Sequence, residues 1–271
     1  MTYLREDIRC LWQDRDPLEA AFGLQGEVFR DVPGRRTLRV QLGEKIYFVK
    51  LHYGIGWTEV IKNWLQLKWP VIGARNEFVV CRALQKEQIP APVPAAFGAS
   101  SGSMAAQRSF VLSDELAGFT SLEDITDSWG DNPPSPIERQ RYLYAVAHFA
   151  RRFHQAGFIH RDFYICHLLA DDARRAEGEV SLAVLDLHRA RRFAKVPFRW
   201  LKRDLAALLF SSLDLGFNHR DWLRFIAIYS GKPASVALRQ DAALWRAVRE
   251  RADKLYVEGL RKGIVKGLYT P

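Results

Sequence analysis

The chain is poor in the residues and runs that mark several large classes of protein. Its 271 residues include three cysteines, Cys10, Cys81 and Cys166, at unrelated spacings, which argues against a disulfide framework and favours a reducing compartment. No apolar run approaches the roughly 18 residues of a membrane-spanning helix, and the charged start MTYLREDIRC is unlike a secretory signal. We therefore expect a cytoplasmic protein without a membrane span.

Acidic residues are scarce relative to basic ones. The 40 Lys and Arg residues outnumber the 31 Asp and Glu residues and give a formal net charge of +9, which favours an anionic partner such as a phosphorylated glycan, a nucleic acid or a membrane surface. Zinc-finger spacing, a helix-turn-helix signature and an RNP-like motif are missing from the sequence, so nucleic-acid binding is not expected. Hydrophobic residues make up 48% of the chain, which is enough for two lobes that share a cleft.

The stretch at 158–169 has the order of residues found in phosphotransferase catalytic loops. It reads FIHRDFYICHLL, so that His167 follows Asp162 by five positions. In the kinase motif H-R-D-x-x-x-x-N the aspartate accepts the substrate hydroxyl proton, and the final residue holds a metal. His167 is therefore a candidate contact for the metal or the nucleotide, although Mg²⁺ prefers oxygen ligands. Because an HRD tripeptide alone is weak evidence, its partners elsewhere in the chain decide its meaning.

The early part of the chain predicts an antiparallel meander of three strands. EVFRDV, TLRVQL and IYFVKLH are separated by turn-forming Pro-Gly and Gly-Glu-Lys. The third strand carries Lys50 at the place of the lysine that pairs with ATP phosphates in kinases. The first turn carries Gly34 and Arg35 where kinases have a glycine-rich loop. With a single glycine, this turn is either a phosphate contact or a solvated hairpin tip.

Two helices are predicted after these strands. The segment Trp57–Trp69 is amphipathic, with three tryptophans near one face, and either packs on the sheet or contacts a membrane surface, an acyl chain or an acidic partner protein. The second helix, predicted over 74–86, carries Glu77 among apolar residues. A carboxylate that points inward there requires a cation, for which Lys50 is the candidate.

A hinge is predicted where the last strand of this region ends. Ser113–Leu116 lies where two-lobed kinases read the adenine edge with backbone groups. Glu115 and Leu116 are therefore candidate nucleotide contacts. We place the domain boundary there, with an N-terminal lobe over 1–115 and a C-terminal lobe over 116–271.

The C-terminal lobe is expected to be mainly helical around the catalytic loop. A long amphipathic helix is predicted over 137–156, and a buried helix begins at Asp204, which either caps it or anchors a loop. Two strands flank a charged tip, and the second, within 180–188, ends at Asp186. DLH replaces the DFG of kinases but keeps the aspartate, so Asp186 is the candidate ligand of Mg²⁺.

These candidates follow one another in the order of kinase motifs: Lys50, Glu77, Asp162, His167 and Asp186. Phosphoryl transfer needs a cation on the phosphates, a carboxylate that holds Mg²⁺ and a base for the acceptor hydroxyl. The order predicts an α+β, two-lobed protein-kinase-like fold, with a small, mostly antiparallel β N-lobe and a larger α-helical C-lobe, and the use of ATP and Mg²⁺. For each carboxylate alone, a cap or a surface ion pair is the simpler interpretation. A zinc site from His160, Cys166, His167 and His188 matches no common zinc spacing.

The segment after Asp186 bears on the acceptor. From Arg189 to Arg203 it contains no Ser, Thr, Tyr or acidic residue, so it lacks the phosphosite of a protein-kinase activation segment. Guanidinium and ammonium groups at this density suit phosphates or sugar-acid carboxylates, whereas a solvated charged face is the simpler alternative. The candidate acceptor contacts are Arg189, Arg191, Arg192, Lys195 and Arg199.

The motifs together resemble those of the lipopolysaccharide core heptose(I) kinases of the WaaP type. The resemblance rests on IHRDFYICHLL, on VLDLHRA, on RRTLRV with YFVKLHYGIGW and on KRDLAALLFSSLDLG, and it covers most of the chain. It implies phosphorylation of a hydroxyl group on the first heptose of the inner core, dependent on ATP and Mg²⁺. It also implies that Asp162 is the base and Asp186 the metal ligand.

The resemblance further implies a peripheral location on the cytoplasmic face of the inner membrane. Lipid A and its core sugars carry phosphates and acidic keto-sugars there, which a basic site would bind. Two alternatives are a protein kinase, including a tyrosine kinase, and a non-catalytic, kinase-like module that binds anions. The missing A-P-E motif disfavours the first, and the presence of Lys50, Asp162 and Asp186 disfavours the second.

Overall fold

The computed structural model of the chain describes residues 1–54, 73–101 and 107–269. The chain divides into two units, of which the first comprises Met1–Ala117 together with Asp186–Arg189, and the second comprises the remaining residues from Gly118 onward. The first unit is built on an antiparallel sheet, and the second is mainly helical. The helix predicted over Trp57–Trp69 lies outside the described residues.

The sheet of the first unit is a meander with two further strands and an N-terminal strand beside it. Its described strands are β1 (Thr2–Leu4), β2 (Glu27–Val32), β3 (Arg35–Leu42), β4 (Lys45–Tyr53), β5 (Pro94–Ala99) and β6 (Arg108–Asp114). They pair antiparallel in the order β1-β5-β6-β4-β3-β2. Gly34 and Gly43 make the hairpin turns with φ values of 79° and 62°, which glycine adopts at little cost. The predicted three-stranded meander is confirmed.

The two faces of β4 have different roles. Tyr47, Val49 and Leu51 alternate along the strand and are buried in the core of the first unit. Each such side chain contributes roughly 1.5–3 kcal/mol through the apolar area that it removes from water. Lys50 and His52 occupy the other face of the same strand. The period of two therefore separates the residues that stabilise the sheet from those that can meet a ligand.

Three described helices accompany the sheet: α1 (Glu6–Trp12), α2 (Pro17–Phe22) and α3 (Arg75–Lys86). Asp16 caps α2, as its side chain accepts hydrogen bonds from the backbone N–H groups of Leu18 and Glu19 at 2.9 Å. The helix predicted over 74–86 is present as α3, and Glu77 lies on its buried face. The sequence did not predict β1 or α1, which pack on β5 and on the core.

The second unit combines helices with short strands. Its helices are α4 (Leu122–Thr126), α5 (Pro136–Gln155), α6 (Asp172–Ala176), α7 (Phe198–Ser212), α8 (His219–Ser230), α9 (Ala234–Gln240) and α10 (Ala242–Lys262). Its strands are β7 (Phe119–Ser121), β8 (Phe158–Ile159), β9 (Leu168–Asp171), β10 (Leu182–Val184) and β11 (Arg191–Arg192). Strand β9 pairs with β10 and with β7, and β8 pairs with β11, all antiparallel.

An aromatic cluster under the catalytic stretch connects it to α5. The rings of Phe153 and Phe163 stack with centroids 5.5 Å apart, and Phe158 lies 5.6 Å from Phe153. All three side chains are fully buried. Stacked aromatic pairs add about 0.5–1.5 kcal/mol to the burial of their area. The residues on both sides of the HRD tripeptide are therefore fixed by the core of this unit.

One predicted boundary is wrong. Helix α7 begins at Phe198, so that Asp204 lies in its second turn and does not cap it. Cys10, Cys81 and Cys166, which all lie within the described ranges, form no disulfide with one another. Among the described helices, none combines the length and the apolar character needed to cross a membrane.

Candidate active site

A buried group of charges lies on the face of the sheet that carries Lys50. Its Nζ atom is 2.6 Å from Oε1 of Glu77 on α3 and 3.3 Å from Oδ1 of Asp186. The side chains of Lys50 and Glu77 are only 19% and 8% exposed. The ion pair predicted between Lys50 and Glu77 is therefore present, and Asp186 joins it.

The charges of this group stabilise one another. Burial alone would lower the pKa of Lys50, but the carboxylates of Glu77 and Asp186 outweigh this effect and raise its pKa above the ordinary value. Lys50 is thus a permanent cation at the position where kinases bind the ATP phosphates. Removing Lys50 would leave both carboxylates without their cation, and losing one partner of a buried pair costs about 3–5 kcal/mol.

Asp186 is held from two sides. Its Oδ1 accepts a hydrogen bond from Nδ1 of His188 at 2.8 Å, in addition to the contact with Lys50. The carbonyl of His188 accepts a hydrogen bond from Nδ2 of Asn76 on α3 at 3.0 Å. Helix α3 therefore fixes the segment Asp186–Arg189 as well as the lysine.

The surroundings of Asp186 fit the chemistry of Mg²⁺. This ion is usually bound by one or two carboxylates together with phosphate oxygens and water, and not by a cage made of protein alone. Asp186 supplies one carboxylate beside a lysine suited to phosphates. Among residues 1–54, 73–101 and 107–269, no three His, Cys, Asp or Glu side chains are grouped to hold a metal by themselves.

Two histidines shape the catalytic loop in the second unit. Nδ1 of His167 donates to the carbonyl oxygen of Asp162 at 2.8 Å, which closes the turn between these residues. The rings of His167 and His160 stack at 5.3 Å, and Nε2 of His160 donates to the carbonyl of Leu185 at 2.7 Å. His167 thus has a structural role in the loop, and its contact with metal or nucleotide stays a prediction.

Asp204 anchors the backbone of the same loop. Its carboxylate is fully buried and accepts hydrogen bonds from the backbone N–H groups of His160 at 2.6 Å and Arg161 at 2.7 Å. His154 on α5 approaches the same carboxylate at 3.4 Å. The interpretation of Asp204 as a loop anchor is therefore confirmed.

Asp162 lies beside a guanidinium group. A terminal nitrogen of Arg203 is 3.6 Å from its Oδ1, and Nε of Arg203 donates to the carbonyl of Arg161 at 2.8 Å. Arg203 therefore contacts both the carboxylate of Asp162 and the backbone of the residue before it.

The predicted phosphate turn lies next to the lysine face. Gly34 occupies the hairpin tip, and Arg35 is directly opposite His52 on β4. Burial, followed by the charges of Arg35 and Lys50, lowers the pKa of His52 to about 4. His52 is therefore neutral at physiological pH, and the cations around it favour an anionic ligand.

The predicted hinge is fixed by an ion pair. Glu115 pairs with Arg39 on β3 through contacts of 2.7 and 3.2 Å, and its backbone N–H donates to the carbonyl of Ile46. Its side chain and its N–H group thus secure the end of the sheet. The carbonyl of Glu115 and the backbone of Leu116 stay the predicted adenine contacts.

The cationic candidates for acceptor binding belong to several elements. Arg189 is part of the first unit, whereas β11, the loop after it and α7 carry Arg191, Arg192, Lys195 and Arg199. The guanidinium of Arg192 lies 5.0 Å over the ring of Phe158 on β8. That of Arg199 lies 5.2 Å from the ring centroid of Trp200, beside the catalytic loop.

Sequence reasoning missed His52 and Trp200. His52 follows Lys50 by two positions on a strand, so the alternation of faces was a signal for it. Trp200 lies inside the basic segment at 189–203. Its contact with Arg161 can be recognised only once the position of α7 is known.

A sheet unit with a buried lysine–glutamate pair and a helical unit with an anchored HRD loop form a kinase-like phosphotransferase. The sequence model of the lipopolysaccharide kinase (Kdo/WaaP) family matches residues 19–229. The chain belongs to this family, and it transfers a phosphoryl group to a hydroxyl acceptor.

Individual relatives cover nearly the whole chain. It is 42% identical over 261 residues to the lipopolysaccharide core heptose(I) kinase WaaP of Pseudomonas aeruginosa, which covers 96% of this chain and 97% of the relative. The kinase of the same description from Escherichia coli is 37% identical over 265 residues, covering 97% and 100%. A solved structure, WaaP in complex with acyl carrier protein, matches with a TM-score of 0.81 at 37% identity, covering 94% of this chain and 99% of that one. The predicted fold class is confirmed.

Proposed function

We propose that this chain is an ATP-dependent kinase of lipopolysaccharide core biosynthesis that phosphorylates a hydroxyl group on the first heptose of the inner core. The observation that carries the proposal is the buried group of Lys50, Glu77 and Asp186 in a chain whose relatives are described as heptose(I) kinases. Family membership supports phosphoryl transfer, and the names of the relatives support the sugar acceptor.

Each residue of the site has a role in the proposed reaction. Lys50, oriented by Glu77, binds the phosphates of ATP. Asp162 takes the proton of the heptose hydroxyl group while the oxygen of that hydroxyl attacks the γ-phosphorus of ATP. The bond from the γ-phosphorus to the bridging oxygen then breaks, and ADP leaves. Asp186 would hold Mg²⁺, which when bound neutralises negative charge on the phosphate oxygens.

Transfer of labelled phosphate from ATP to lipopolysaccharide that lacks core phosphate tests this function. Asp162→Asn should lower kcat by about 100-fold to 10,000-fold, as expected for loss of a general base. Asp14→Asn removes the same charge at an exposed position and should leave kcat unchanged. Full phosphate transfer by Asp162→Asn would show that Asp162 is not the base. Transfer to peptides and not to the glycolipid would refute the proposed acceptor.

We further propose that the chain binds acyl carrier protein and receives its acyl chain in the helical unit. A related protein was solved in complex with acyl carrier protein. The helical unit contains a cavity of about 430 Å³ between α5, α7, α8, α9 and α10, lined by Leu143, Leu208, Phe225, Leu238 and Trp245 among other apolar side chains. Cavities of roughly 300–1,000 Å³ with apolar walls are typical of sites for small apolar ligands.

Co-purification of acyl carrier protein with the full chain tests this partner. Leu238→Glu places a charge at the cavity wall and should reduce the recovered carrier about tenfold, because burying an unpaired carboxylate against an acyl chain is costly. Val257→Glu makes the same change at an exposed apolar position outside the cavity and should retain the carrier. Equal recovery with both variants, or equal binding of carrier without an acyl chain, would refute the proposed mode.

Peripheral association with the cytoplasmic face of the inner membrane follows from the proposed substrate. Lipid A is anchored in that membrane, and a net charge of +9 attracts a chain to an anionic surface, at about 1 kcal/mol for each basic residue near it.

A further inference from the structure

Three guanidinium groups converge on one tryptophan in the helical unit. The ring centroid of Trp200 lies 4.8 Å from the guanidinium carbon of Arg161, 5.2 Å from that of Arg199 and 6.0 Å from that of Arg203. Two of these residues flank the proposed base, since Arg161 precedes Asp162 in the chain and Arg203 contacts its carboxylate. We call these four residues, Arg161, Arg199, Trp200 and Arg203, the tryptophan–arginine cluster.

The cluster concentrates positive charge where a helix disfavours it. Arg199 and Arg203 are four positions apart on α7, and like charges at this spacing destabilise a helix. They also lie in its first two turns, where the helix dipole favours acidic side chains, yet the first turn contains none. Attraction to the face of Trp200 offsets part of this cost. An anion bound among the guanidinium groups would offset the rest.

The tryptophan itself offers a hydrogen bond that the chain does not use. Nε1 of Trp200 is buried and has no hydrogen-bond partner among the described residues. An indole N–H group is a donor only, so its partner must be an acceptor. Within the described ranges, Arg199 contacts the ring of Trp200 and likewise has no carboxylate partner. Both groups are therefore able to bind the oxygen atoms of a ligand.

We propose that the tryptophan–arginine cluster binds a negatively charged substituent of the acceptor and thereby places the hydroxyl group at Asp162. This inference rests on the proposed function and assigns the recognition of the acceptor to four residues of one unit. Arginine binds carboxylates and phosphates through two parallel hydrogen bonds, which orient the ligand as well as attract it. The shared chemistry is an oxyanion, supplied either by the carboxylate of an acidic core sugar or by a phosphate of lipid A.

Kinetics with variants of Arg199 test the cluster. This side chain is exposed and makes no hydrogen bond within the loop, so Arg199→Gln should fold. We expect the KM for heptose-terminated lipopolysaccharide to rise about tenfold, which corresponds to the loss of one charge-assisted contact. The KM for ATP should change less than about twofold, because the contact concerns the acceptor only. The acceptor KM of Arg199→Lys should lie between those of the wild-type protein and Arg199→Gln. Trp200→Phe keeps an aromatic ring but loses the indole N–H group, and it should raise the acceptor KM several-fold.

Arg220→Gln is the matched control. Arg220 is an exposed arginine in the first turn of α8, so its replacement removes the same charge from the same kind of position. It should leave both KM values unchanged.

Modified acceptors identify the anion and can overturn the proposal. If the bound anion is a sugar carboxylate, the tenfold difference in acceptor KM between the wild-type protein and Arg199→Gln should vanish on a carboxyl-reduced acceptor. If the anion is a phosphate, the same difference should vanish on a dephosphorylated acceptor. If the difference persists on both acceptors, or if Arg199→Gln has the KM of the unchanged protein, the cluster does not recognise an acceptor anion. If the wild-type protein transfers no phosphate, the proposed function fails. The cluster is then tested by measuring, without ATP, the Kd of the wild-type protein and of Arg199→Gln for the unmodified, carboxyl-reduced and dephosphorylated acceptors. Equal Kd values of the two proteins for the unmodified acceptor would refute the cluster.

Discussion

Arg161 and Asp186 both adopt positive φ values, of 76° and 56°. Such conformations cost a residue other than glycine about 1–3 kcal/mol and persist only where the surroundings enforce them. The backbone N–H of Arg161 is bound by Asp204, and the carboxylate of Asp186 is bound by Lys50 and His188. The two strained residues thus belong to the HRD and DLH motifs, and each is held by the partners that define the site.

His52 leads to a prediction about pH at the scale of one residue. Its pKa falls from the ordinary 6.5 to about 4 in the folded protein, mainly through burial and then through Arg35 and Lys50. The unfolded chain therefore binds more protons between these values, so stability rises with pH in this range and is lost as pH falls from 6.5 towards 4. By about pH 5 this residue alone should have removed about 2 kcal/mol from the free energy of unfolding.

Denaturant unfolding of the unchanged protein and of His52→Gln measures this contribution. When the pH falls from about 7.5 to about 5, the wild-type protein should lose about 2 kcal/mol more of its free energy of unfolding than His52→Gln does, because glutamine does not titrate. Other groups titrate equally in both proteins and cancel. A difference that is the same at both pH values would show that His52 is not held neutral.

Among elements, the contact between α7 and the catalytic loop is the one whose loss should affect chemistry most. Asp204 binds two consecutive backbone N–H groups of the loop, and an asparagine there would turn one donor towards another donor. Asp204→Asn should lower kcat by about 100-fold, because small displacements of a catalytic group have effects of this size. The KM for ATP should change little, as Lys50 and Glu77 belong to the other unit.

Steady-state kinetics of Asp204→Asn and of Asp131→Asn check this anchoring role. Asp131 is exposed, and its replacement should leave kcat unaltered. The unfolding free energy of Asp204→Asn should fall by about 1–3 kcal/mol, the usual cost of an unsatisfied buried group. A variant that is destabilised but retains full kcat would mean that Asp204 supports the fold and not the position of the loop.

Elements with strong periodicity were predictable from the sequence. The three runs of strand-forming residues separated by turns predicted the meander, and the need of a buried Glu77 for a cation predicted the ion pair that the structure contains. These predictions succeeded because strand period and charge compensation are local rules that the tertiary structure does not override.

Other elements gave no usable local signal. Strand β1 has three residues and forms only because β5 offers it an edge. Helix α7 starts at Pro197 and Phe198 without a side-chain cap, so the sequence suggested a later start at Asp204. The hydrogen bond of His167 to Asp162 and the cluster around Trp200 depend on how the loop folds back on α7, which neither period nor composition encodes.

At the scale of the whole molecule, the sheet unit is discontinuous in sequence. Asp186–Arg189 belongs to it, and this segment supplies the carboxylate beside Lys50 and the carbonyl that binds Asn76. A fragment that ended at Ala117 would therefore contain Lys50 and Glu77 but not the proposed metal ligand. The proposed nucleotide site thus requires that the chain run through much of the helical unit and return.

The net charge of +9 leads to a prediction about the encounter with the acceptor. Long-range attraction between a basic protein and an anionic glycolipid weakens as the screening length falls from about 14 Å towards 6 Å. We expect kcat/KM for lipopolysaccharide to fall about tenfold between about 50 mM and about 300 mM NaCl, because electrostatic steering acts on association. The kcat at saturating acceptor should stay constant, since the transfer step follows binding.

Initial rates over this range of salt, repeated with an acceptor that is both carboxyl-reduced and dephosphorylated, separate the effect of salt on attraction to the substrate from its effect on the protein itself. An equally steep loss with the neutral acceptor would show that salt acts on the protein and not on its attraction to the substrate.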